Sequence, residues 1–229
     1  DRDAFVKFLL SLELYGKIVS IFHVKNDTLS DAIVPEEINL IYGKNHIQEE
    51  VLGLKFKISP FSFFQTNTKS AEILYNIARG KIDAKDKLVF DLYSGTGTIT
   101  QMLAGSAKKV IGVEIVEEAV EAAKENAKLN GIKNVEFIAE DVLKVLDSLE
   151  KNPDIIVLDP PREGINPKAI ERIIDFSPEK FLYISCNPVT QVRDLKVFEE
   201  GGYKIEEIEI IDQFPKTSHV ETIALIQKM

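Results

Sequence analysis

The chain has 229 residues, of which 45% are hydrophobic and 28% charged, so its composition is that of an ordinary globular protein. The formal net charge of −9 argues mildly against nucleic acid as a partner, although a local basic patch is enough for phosphate contact. One cysteine excludes an internal disulfide framework and indicates the reducing cytoplasm, three scattered histidines form no metal-ligand cluster with it, and no apolar run is long enough to span a membrane.

The first 60 residues predict a small α+β subdomain. A helix is expected from Ala4 to Leu14, followed by the apolar run "GKIVSIFHV" and by "INLIYG". The stretch "EEVLGLKFKISP" alternates apolar and polar residues, which predicts strands joined by a turn at Gly53. Because such short strands bury little by themselves, we expect this subdomain to pack on a larger unit.

From Phe61 onward, helices and strands alternate. "TNTKSAEILYNIARG" has the pattern of an amphipathic helix, with Thr66 or Asn67 as its cap and Gly80 at its end. The strands predicted after it are "KLVFDLYSG", "KVIGVEI", "VEFIAED", "PDIIVLDPP", "KFLYISCNP", "YKIEEIEIIDQF" and "HVETIALIQK". The alternation implies a parallel sheet with helices on both faces, whose binding residues lie at the carboxyl ends of the strands.

A glycine-rich loop, "DLYSGTGTIT", follows the first strand of this series and opens the next helix. Gly95 and Gly97 allow a tight turn and the close approach of a ligand. The loop is not a Walker loop, because no Gly-Lys-Ser/Thr follows, and Thr100 stands where a dinucleotide fingerprint has its third glycine. Without a pyrophosphate to bind, the loop better suits an adenosine ligand with a small charged tail.

Acidic residues end the next two strands. Glu114 comes about 20 positions after Asp91, where a carboxylate can accept both hydroxyls of a ribose. Asp141 ends the third strand and can accept from an adenine amino group. A lone glycine pair has a purely structural role as often as it binds a ligand. The glycine loop, Glu114 and Asp141 at three successive strand ends together indicate a site for S-adenosylmethionine.

The fourth strand leads into "VLDPPREG", a loop that two prolines stiffen. Asp159 and the loop carbonyls would therefore be held in place, which suits a group that grips a planar base beside a transferred methyl group. A rigid connector between strand and helix is the alternative. Arg162 contacts a phosphate or is simply solvated, and the sequence favours neither.

Cys186 ends the fifth strand, one strand along from Asp159. A buried strand cysteine is commonly inert, but this one precedes the turn-forming Asn187-Pro188 and a predicted helix. An unperturbed thiol is only a few per cent thiolate at neutral pH. A nucleophile would therefore need help from the helix amino terminus or from a nearby cation such as Arg193.

A methyltransferase that acts on a pyrimidine carbon needs such a nucleophile. The thiolate adds to C6, C5 then attacks the methyl group, and a base removes the C5 proton so that the thiolate can leave. Glu221 begins the last strand, which we expect near the fifth, and its apolar neighbours Val220 and Ile223 would raise its pKa by burial. An exposed strand position is the alternative for Glu221, and His219 is the alternative base.

Six segments, taken in order, resemble those of the RNA uracil-C5 methyltransferases, which make 5-methyluridine in ribosomal or transfer RNA. The segments are "SPFSFFQTNT", "DLYSGTGTIT", "VIGVEI", "DPPREG", "ISCNPVTQVRDL" and "DQFPKTSHVETIALI". The combination of "DPPR" with "SCNP" and a terminal "HVE" is highly specific. DNA cytosine-C5 enzymes differ, because they place their cysteine after the fourth strand.

The resemblance implies a Rossmann-like S-adenosylmethionine methyltransferase fold with a mostly parallel seven-stranded sheet. It assigns catalysis to Cys186 as nucleophile, Glu221 as base, and Asp159 at the junction of cofactor and target base. The residues that it assigns to cofactor binding are Gln65, Tyr93, Gly95, Thr98, Glu114, Asp141 and Asp159. Thr98 departs from the asparagine often seen there. The rings of Phe61, Phe63 and Phe64 would line the base pocket or serve in packing.

The resemblance also implies that residues 1–60 are the end of a central RNA-binding subdomain and residues 61–229 the catalytic domain. Full-length members usually carry an amino-terminal OB-like RNA-binding domain, and many bind an iron-sulfur cluster; this chain carries neither. The expected reaction methylates a uridine of 23S ribosomal RNA. The enzyme is expected to be a monomer that binds no metal ion and does not associate with a membrane. The T-loop uridine of transfer RNA is the alternative substrate.

Three other functions compete with this reading. An RNA cytosine-C5 methyltransferase usually has a second cysteine in the proline loop, which "DPPR" lacks. An amine methyltransferase would carry an aromatic residue where Arg162 stands. A non-catalytic cofactor-binding or RNA-binding module would be indifferent to the substitution Cys186→Ala.

Overall fold

The structure, a computed structural model, describes residues 1–27, 36–148 and 152–229. The helices in these ranges are α1 (Arg2–Ser11), α2 (Thr68–Lys81), α3 (Thr98–Ala104), α4 (Glu117–Leu129), α5 (Val142–Ser148), α6 (Pro167–Asp175) and α7 (Pro188–Glu200). The strands are β1 (Ser20–Lys25), β2 (Glu37–Gly43), β3 (Ile47–Val51), β4 (Leu54–Ile58), β5 (Leu88–Leu92), β6 (Lys109–Glu114), β7 (Val135–Ala139), β8 (Ile155–Leu158), β9 (Lys180–Ser185), β10 (Tyr203–Ile211) and β11 (Glu221–Lys228). No helix among the described residues is both long and apolar enough to cross a bilayer.

The chain divides into two compact units, and the smaller one comprises residues 1–49 and 57–62. Its helix α1 begins at Arg2 because the Asp1 side chain accepts from the main-chain N–H groups of Asp3 and Ala4. The helix ends at Ser11, since Leu12 is extended, so it lies two to three residues upstream of the predicted bounds. Strands β1 and β2 pair antiparallel in the same unit.

A tight hairpin joins β3 to β4. Its two turn residues, Leu52 and Gly53, have φ angles of 52° and 78°, the left-handed conformation that two-residue hairpin loops require. The predicted turn at Gly53 is therefore confirmed.

The larger unit, residues 50–56 and 63–229, contains the seven-stranded sheet. Its strand order is β10-β11-β9-β8-β5-β6-β7. The five strands from β9 to β7 run parallel, whereas β11 is antiparallel to β9 and β10 is antiparallel to β11. The mostly parallel α/β fold predicted from the alternating pattern is confirmed, and so is the position of the last strand beside the fifth.

Helices cover both faces of this sheet. The strand order reverses between β5 and β8, and right-handed crossovers then place the earlier and later helices on opposite faces. One apolar cluster joins the central strands to α5, α6 and α7 and includes Phe90, Phe181 and Tyr183. A separate cluster packs α4 around Phe137. A reversal of this kind opens a crevice at the carboxyl ends of the strands, where ligands of such sheets bind.

Candidate active site

A cleft of about 660 Å³ opens at the carboxyl ends of the parallel strands. It is lined by loops that follow β5, β6, β7, β8 and β9, by the segment before α2, and by the first residue of β11. All nine predicted site residues line it: Gln65, Tyr93, Gly95, Thr98, Glu114, Asp141, Asp159, Cys186 and Glu221. Groups from seven separate segments of the chain thus meet in one place.

The loop between β5 and α3 is built for close approach. Tyr93, Gly95 and Gly97 all have positive φ angles, and a β-carbon on Gly97 would lie only 2.6 Å from the ring of Phe137. Thr98 follows as the first residue of α3 and is buried. Only glycine therefore fits at position 97, where the helix begins against the wall of the cleft.

The loop also holds the carboxylate of Glu114 in place. Gly95 N–H donates to Glu114 Oε2 at 3.0 Å, and Val116 N–H donates to Oε1 at 2.9 Å. Two main-chain donors therefore fix the orientation of this carboxylate at the end of β6. A fixed acceptor beside a glycine loop matches what a ribose diol requires.

Asp141 has a structural role besides the one predicted for it from the sequence. Its Oδ1 accepts from Leu143 N–H at 2.8 Å, at the amino end of α5. The residue is half-buried and lines the cleft. The helix therefore orients Asp141, whose second carboxylate oxygen is free of this capping bond.

Three carboxyl groups near the floor of the cleft have raised pKa values. Burial raises the pKa of Asp91 to about 7, against a hydrogen bond from the Thr100 hydroxyl that lowers it. Burial also raises the pKa of Glu221 to about 7, and the positive charge of Arg162 opposes that rise. The pKa of Asp159 lies well above its ordinary value, first because of burial and then because of Glu221 and Asp91.

Glu221 and His219, the two candidate bases, differ in their surroundings. Glu221 is only 5% exposed and lines the cleft, so the alternative of an exposed strand position is wrong. His219 is exposed and is absent from the residues described as lining the cleft. Of the two, the structure brings only Glu221 to the cysteine side of the sheet, where β11 pairs with β9.

Cys186 is half-buried directly after β9. Burial and the nearby negative charge of Glu221 raise the pKa of its thiol, whereas a hydrogen bond from the Arg162 guanidinium lowers it. The expectation that Arg193 would be the nearby cation is wrong. Arg193 instead pairs with Asp194 at 2.7 Å and donates to the carbonyl oxygen of Glu163 at 2.9 Å.

The proline loop after β8 is attached to the start of α7. Asn187 Nδ2 and the Thr190 hydroxyl both donate to the carbonyl oxygen of Arg162, at 3.0 and 3.1 Å. Buried Asp194 accepts from Ile165 N–H and from the Tyr183 hydroxyl, both at 2.8 Å. Because α7 begins immediately behind Cys186, the same helix positions both the thiol and the loop that carries Arg162.

The aromatic residues of "SPFSFFQTNT" separate into different roles. Phe63 is 72% exposed and lines the cleft. Phe64 also lines the cleft and packs against Phe56, with ring centroids 5.6 Å apart. Phe61 lies in the smaller unit and is not among the described lining residues.

Tyr75 of α2 also lines the cleft and is not among the residues predicted from the sequence. Burial raises the pKa of its hydroxyl, and the negative charges of Asp159, Asp91 and Glu221 add to that rise. The available signal was its place on the buried face of α2 with Ala71, Leu74 and Ala78.

Among the residues that the structure describes, no group of three or more His, Cys, Asp or Glu side chains is arranged to hold a metal ion.

Comparison of the sequence with those of known proteins finds a matching family and several similar proteins. A family model described as tRNA (uracil-5-)-methyltransferase matches residues 36–229. An "uncharacterized RNA methyltransferase" of Clostridium tetani is 52% identical over 229 residues, which are all of this chain and 50% of that protein. Another, from Caldanaerobacter subterraneus subsp. tengcongensis, is 50% identical over 227 residues, again with half of its length covered. The chain therefore spans about half the length of these curated relatives.

Solved structures resemble the fold as well. The Pyrococcus abyssi tRNA (uracil-54, C5)-methyltransferase, in complex with S-adenosyl-L-homocysteine, superposes with a TM-score of 0.78 and 33% identity. The match covers 93% of this chain and 52% of that one. A more distant similarity is that to M. jannaschii TYW2 in complex with AdoMet, which has a TM-score of 0.61 at 20% identity, covers 84% of this chain and 91% of that one, and supports the fold alone.

Proposed function

The chain belongs to the tRNA (uracil-5-)-methyltransferase family, and from this premise we propose that its cleft transfers a methyl group from S-adenosylmethionine to C5 of a uridine in RNA. The observation that carries the proposal is the convergence of Cys186, Glu221 and Asp159 on the cleft that the glycine loop also lines. This reaction requires a thiol nucleophile, a base and a binding site for the cofactor. The cleft offers Cys186, the buried carboxyl of Glu221 with a pKa of about 7, and the glycine loop.

The residues of the cleft fit the cofactor. Gly95 lines the cleft with no atom within 4 Å of where a β-carbon would lie, so the loop leaves room for a ligand there, and main-chain donors hold Glu114 where ribose hydroxyls would donate to it. Asp141 would accept from the adenine amino group, and Gln65, Tyr93, Gly95, Thr98 and Asp159 would complete the site. When bound, S-adenosylmethionine supplies an electrophilic methyl group on its sulfonium.

Cys186 acts first on the pyrimidine. Its thiolate adds to C6 of the uracil ring, which moves the ring's electron pair toward C5 and O4 and makes C5 nucleophilic. C5 then forms a bond to the methyl carbon, whose bond to the cofactor's sulfur would break to leave S-adenosylhomocysteine. Burial and Glu221 raise the pKa of the thiol, which disfavours the thiolate. The hydrogen bond and the positive charge of Arg162 oppose this rise and stabilise the thiolate.

Glu221 completes the reaction. Its carboxylate takes the proton from C5, the C5–C6 double bond re-forms, and the bond from C6 to the Cys186 sulfur breaks. Its pKa of about 7 means that much of this side chain is deprotonated at neutral pH and that its conjugate acid still gives up the proton readily. A target uridine must leave its stack to reach this position.

Substrate and context are further parts of the proposal. The sequence predicts 23S ribosomal RNA, whereas the names of the family and of the Pyrococcus abyssi enzyme favour transfer RNA. We also propose that residues 1–60 contribute to RNA binding, that further RNA contacts lie outside this chain, and that the protein acts as a monomer in the cytoplasm.

The test uses RNA in which 5-fluorouridine replaces uridine. Fluorine at C5 cannot leave as a proton does, so the adduct with Cys186 should persist on a denaturing gel when S-adenosylmethionine is present. The protein in its full natural length is incubated with 5-fluorouridine-substituted transfer RNA and, separately, with substituted 23S ribosomal RNA. Adduct formation that disappears in Cys186→Ala supports the proposal and identifies the RNA; no adduct with either RNA contradicts the mechanism.

A further inference from the structure

Gln213, in the turn after β10, is a completely buried polar residue that the proposed function does not use. Its Nε2 donates to Oε1 of Gln65 at 3.3 Å and to the main-chain oxygen of Asn67 at 3.5 Å. Its own Oε1 is buried and has no hydrogen-bond partner among the described residues. A buried acceptor without a partner destabilises a fold, so its presence calls for an explanation in function.

The contact with Asn67 determines which way both carboxamides point. A main-chain oxygen can only accept, so the Gln213 atom that faces it must be the NH₂ group. The second hydrogen of the same NH₂ group is directed at Gln65, whose facing atom must then be its oxygen. Gln65 is therefore left with its own NH₂ group on the other side of the carboxamide, in the side chain that lines the cleft.

The two segments that carry these side chains are joined a second time. Asn67 Nδ2 donates to the main-chain oxygen of Gln213 at 3.0 Å, and Asn67 Oδ1 accepts from Ser70 N–H at the start of α2. The start of α2 therefore cannot shift independently of the turn after β10. This second contact restrains the backbone, whereas the contact between Gln213 and Gln65 sets only the direction of a side chain.

The register of the sheet locates Gln65 within the cleft. Ile211 pairs directly with Glu221 across β10 and β11, and Gln213 follows Ile211 by two residues. Gln65, which bonds to Gln213, consequently lies toward the Glu221 end of the cleft. That is the end at which the proposed reaction brings the cofactor and the pyrimidine together.

We propose that Gln213 is a positioning residue that holds Gln65 as a hydrogen-bond donor toward the cleft, so that the ligand atom beside Gln65 is an oxygen acceptor. The inference rests on the proposed function for the source of this oxygen. Uracil O4, next to the reacting C5, and a carboxylate oxygen of the cofactor share the required chemistry. The 4-amino group of cytosine is a donor and does not fit.

The test is a double-mutant cycle of Gln65→Met and Gln213→Met, with Asn67→Ser as the matched control. Serine can still cap α2 but loses the side-chain bond to the Gln213 main chain, so it loosens the same two segments without freeing the Gln65 carboxamide. The binding of S-adenosylhomocysteine is measured by calorimetry, and adduct formation with 5-fluorouridine-substituted RNA is measured on gels.

Gln213→Met should weaken one of the two readouts by about tenfold, the size of one hydrogen bond, without lowering the melting temperature, because it also removes the unpaired acceptor. In the Gln65→Met background the same change should have no further effect, since Gln213 acts through Gln65. Weaker binding of S-adenosylhomocysteine identifies the oxygen as the cofactor's. Unchanged binding with reduced adduct formation identifies it as the base's.

Three results would overturn the inference. These are an unaltered Gln213→Met protein, an effect no larger than that of Asn67→Ser, and additive effects of the two methionine substitutions. Each of them leaves the proposed function standing, provided that the wild type binds S-adenosylhomocysteine and forms the adduct. A wild type that does neither contradicts the proposed function, and the inference fails with it.

Discussion

Cys186 and Glu221 both hold their protons more tightly than free side chains do, because the cleft removes water from both of them, and the negative charge of Glu221 adds to the effect at Cys186. For Glu221 this is useful, since it brings the pKa of a carboxyl to about 7. For Cys186 it is a hindrance, because the thiolate is the reactive form. Arg162 bonds to the thiol and lowers the pKa of both groups, so it is the residue on which their balance depends.

Replacement of Glu221 by Gln should separate methyl transfer from product release. The amide cannot take the C5 proton, so turnover should fall by about 100-fold or more, and a methylated covalent adduct should accumulate on unmodified RNA. In the wild type, the rate of release should rise with pH through about 7 and then level off, because the carboxylate is the active form. Single-turnover kinetics measure both effects, and an unchanged rate without an adduct would refute the role of Glu221.

Replacement of Arg162 by Gln should raise the pKa of the Cys186 thiol further. The thiolate loses a hydrogen bond and a positive charge, so the rate of alkylation by iodoacetamide at pH 8 should fall by about 3- to 10-fold. Arg79→Gln is the matched control, because it removes the same charge from an exposed arginine of α2 that donates to Asn76 Oδ1 at 3.0 Å. Equal rates in the two variants would mean that Arg162 does not act on the thiol.

At the scale of the element, the cleft depends on how α7 holds the loop after β8. The first turns of α7 bond to the carbonyl oxygens of Arg162 and Glu163 and to the N–H group of Ile165. The loop turns at Gly164, which has a φ of 79° and lies against Arg193 and Asp194. Arg162 therefore reaches Cys186 by way of a backbone that the next helix keeps in position.

Gly164→Ala should disrupt this attachment. The new β-carbon would lie 2.6 Å from Arg193 Nη2 and 2.6 Å from Asp194 Oδ2, in a backbone conformation that alanine avoids. We expect the free energy of unfolding in urea to fall by about 2–4 kcal/mol. Gly131→Ala serves as the control, because Gly131 has a φ of 68° but no atom within 4 Å of the new carbon. Equal losses in the two variants would show that the contact with α7 contributes nothing.

At the scale of the whole molecule, the burial of Asp91 makes the folded protein less stable as the pH rises. Asp91 has an ordinary pKa of 3.8 that burial raises to about 7, so the folded state binds this proton more tightly than the unfolded state does. The free energy of unfolding then falls as the pH rises from about 4 to about 7 and levels off above that. A gap of about three units corresponds to at most about 4 kcal/mol for this one group.

Asp91→Asn should therefore stabilise the protein in a pH-dependent way. The amide can still accept from the Thr100 hydroxyl but carries no charge. We expect a gain of about 1–3 kcal/mol in the free energy of unfolding at pH 8 and little or none at pH 4, as measured by urea denaturation. The same gain at both pH values would show that the ionisation of Asp91 is not the cause.

Much of the fold can be predicted from patterns of residues that are neighbours in the sequence. Alternation and helical periodicity predicted the strands and helices of the larger unit, and the turn at Gly53 followed from local chemistry. Because parallel strands bring their carboxyl ends to one edge, the predicted site residues could be expected to meet, and they line one cleft. The sequence by itself therefore determined the mostly parallel sheet, the position of its last strand beside the fifth, and nine of the residues that line the cleft.

The tertiary structure alone decided how those side chains act on one another. It placed Arg162 and not Arg193 beside Cys186, buried Glu221, and set Gln213 against Gln65 across 148 positions of sequence. Local patterns cannot encode such contacts, because the direction of a side chain and its distance from water depend on segments far away in the chain. The protonation of the cleft and the orientation of its donors follow from packing, and packing is a property of the folded chain.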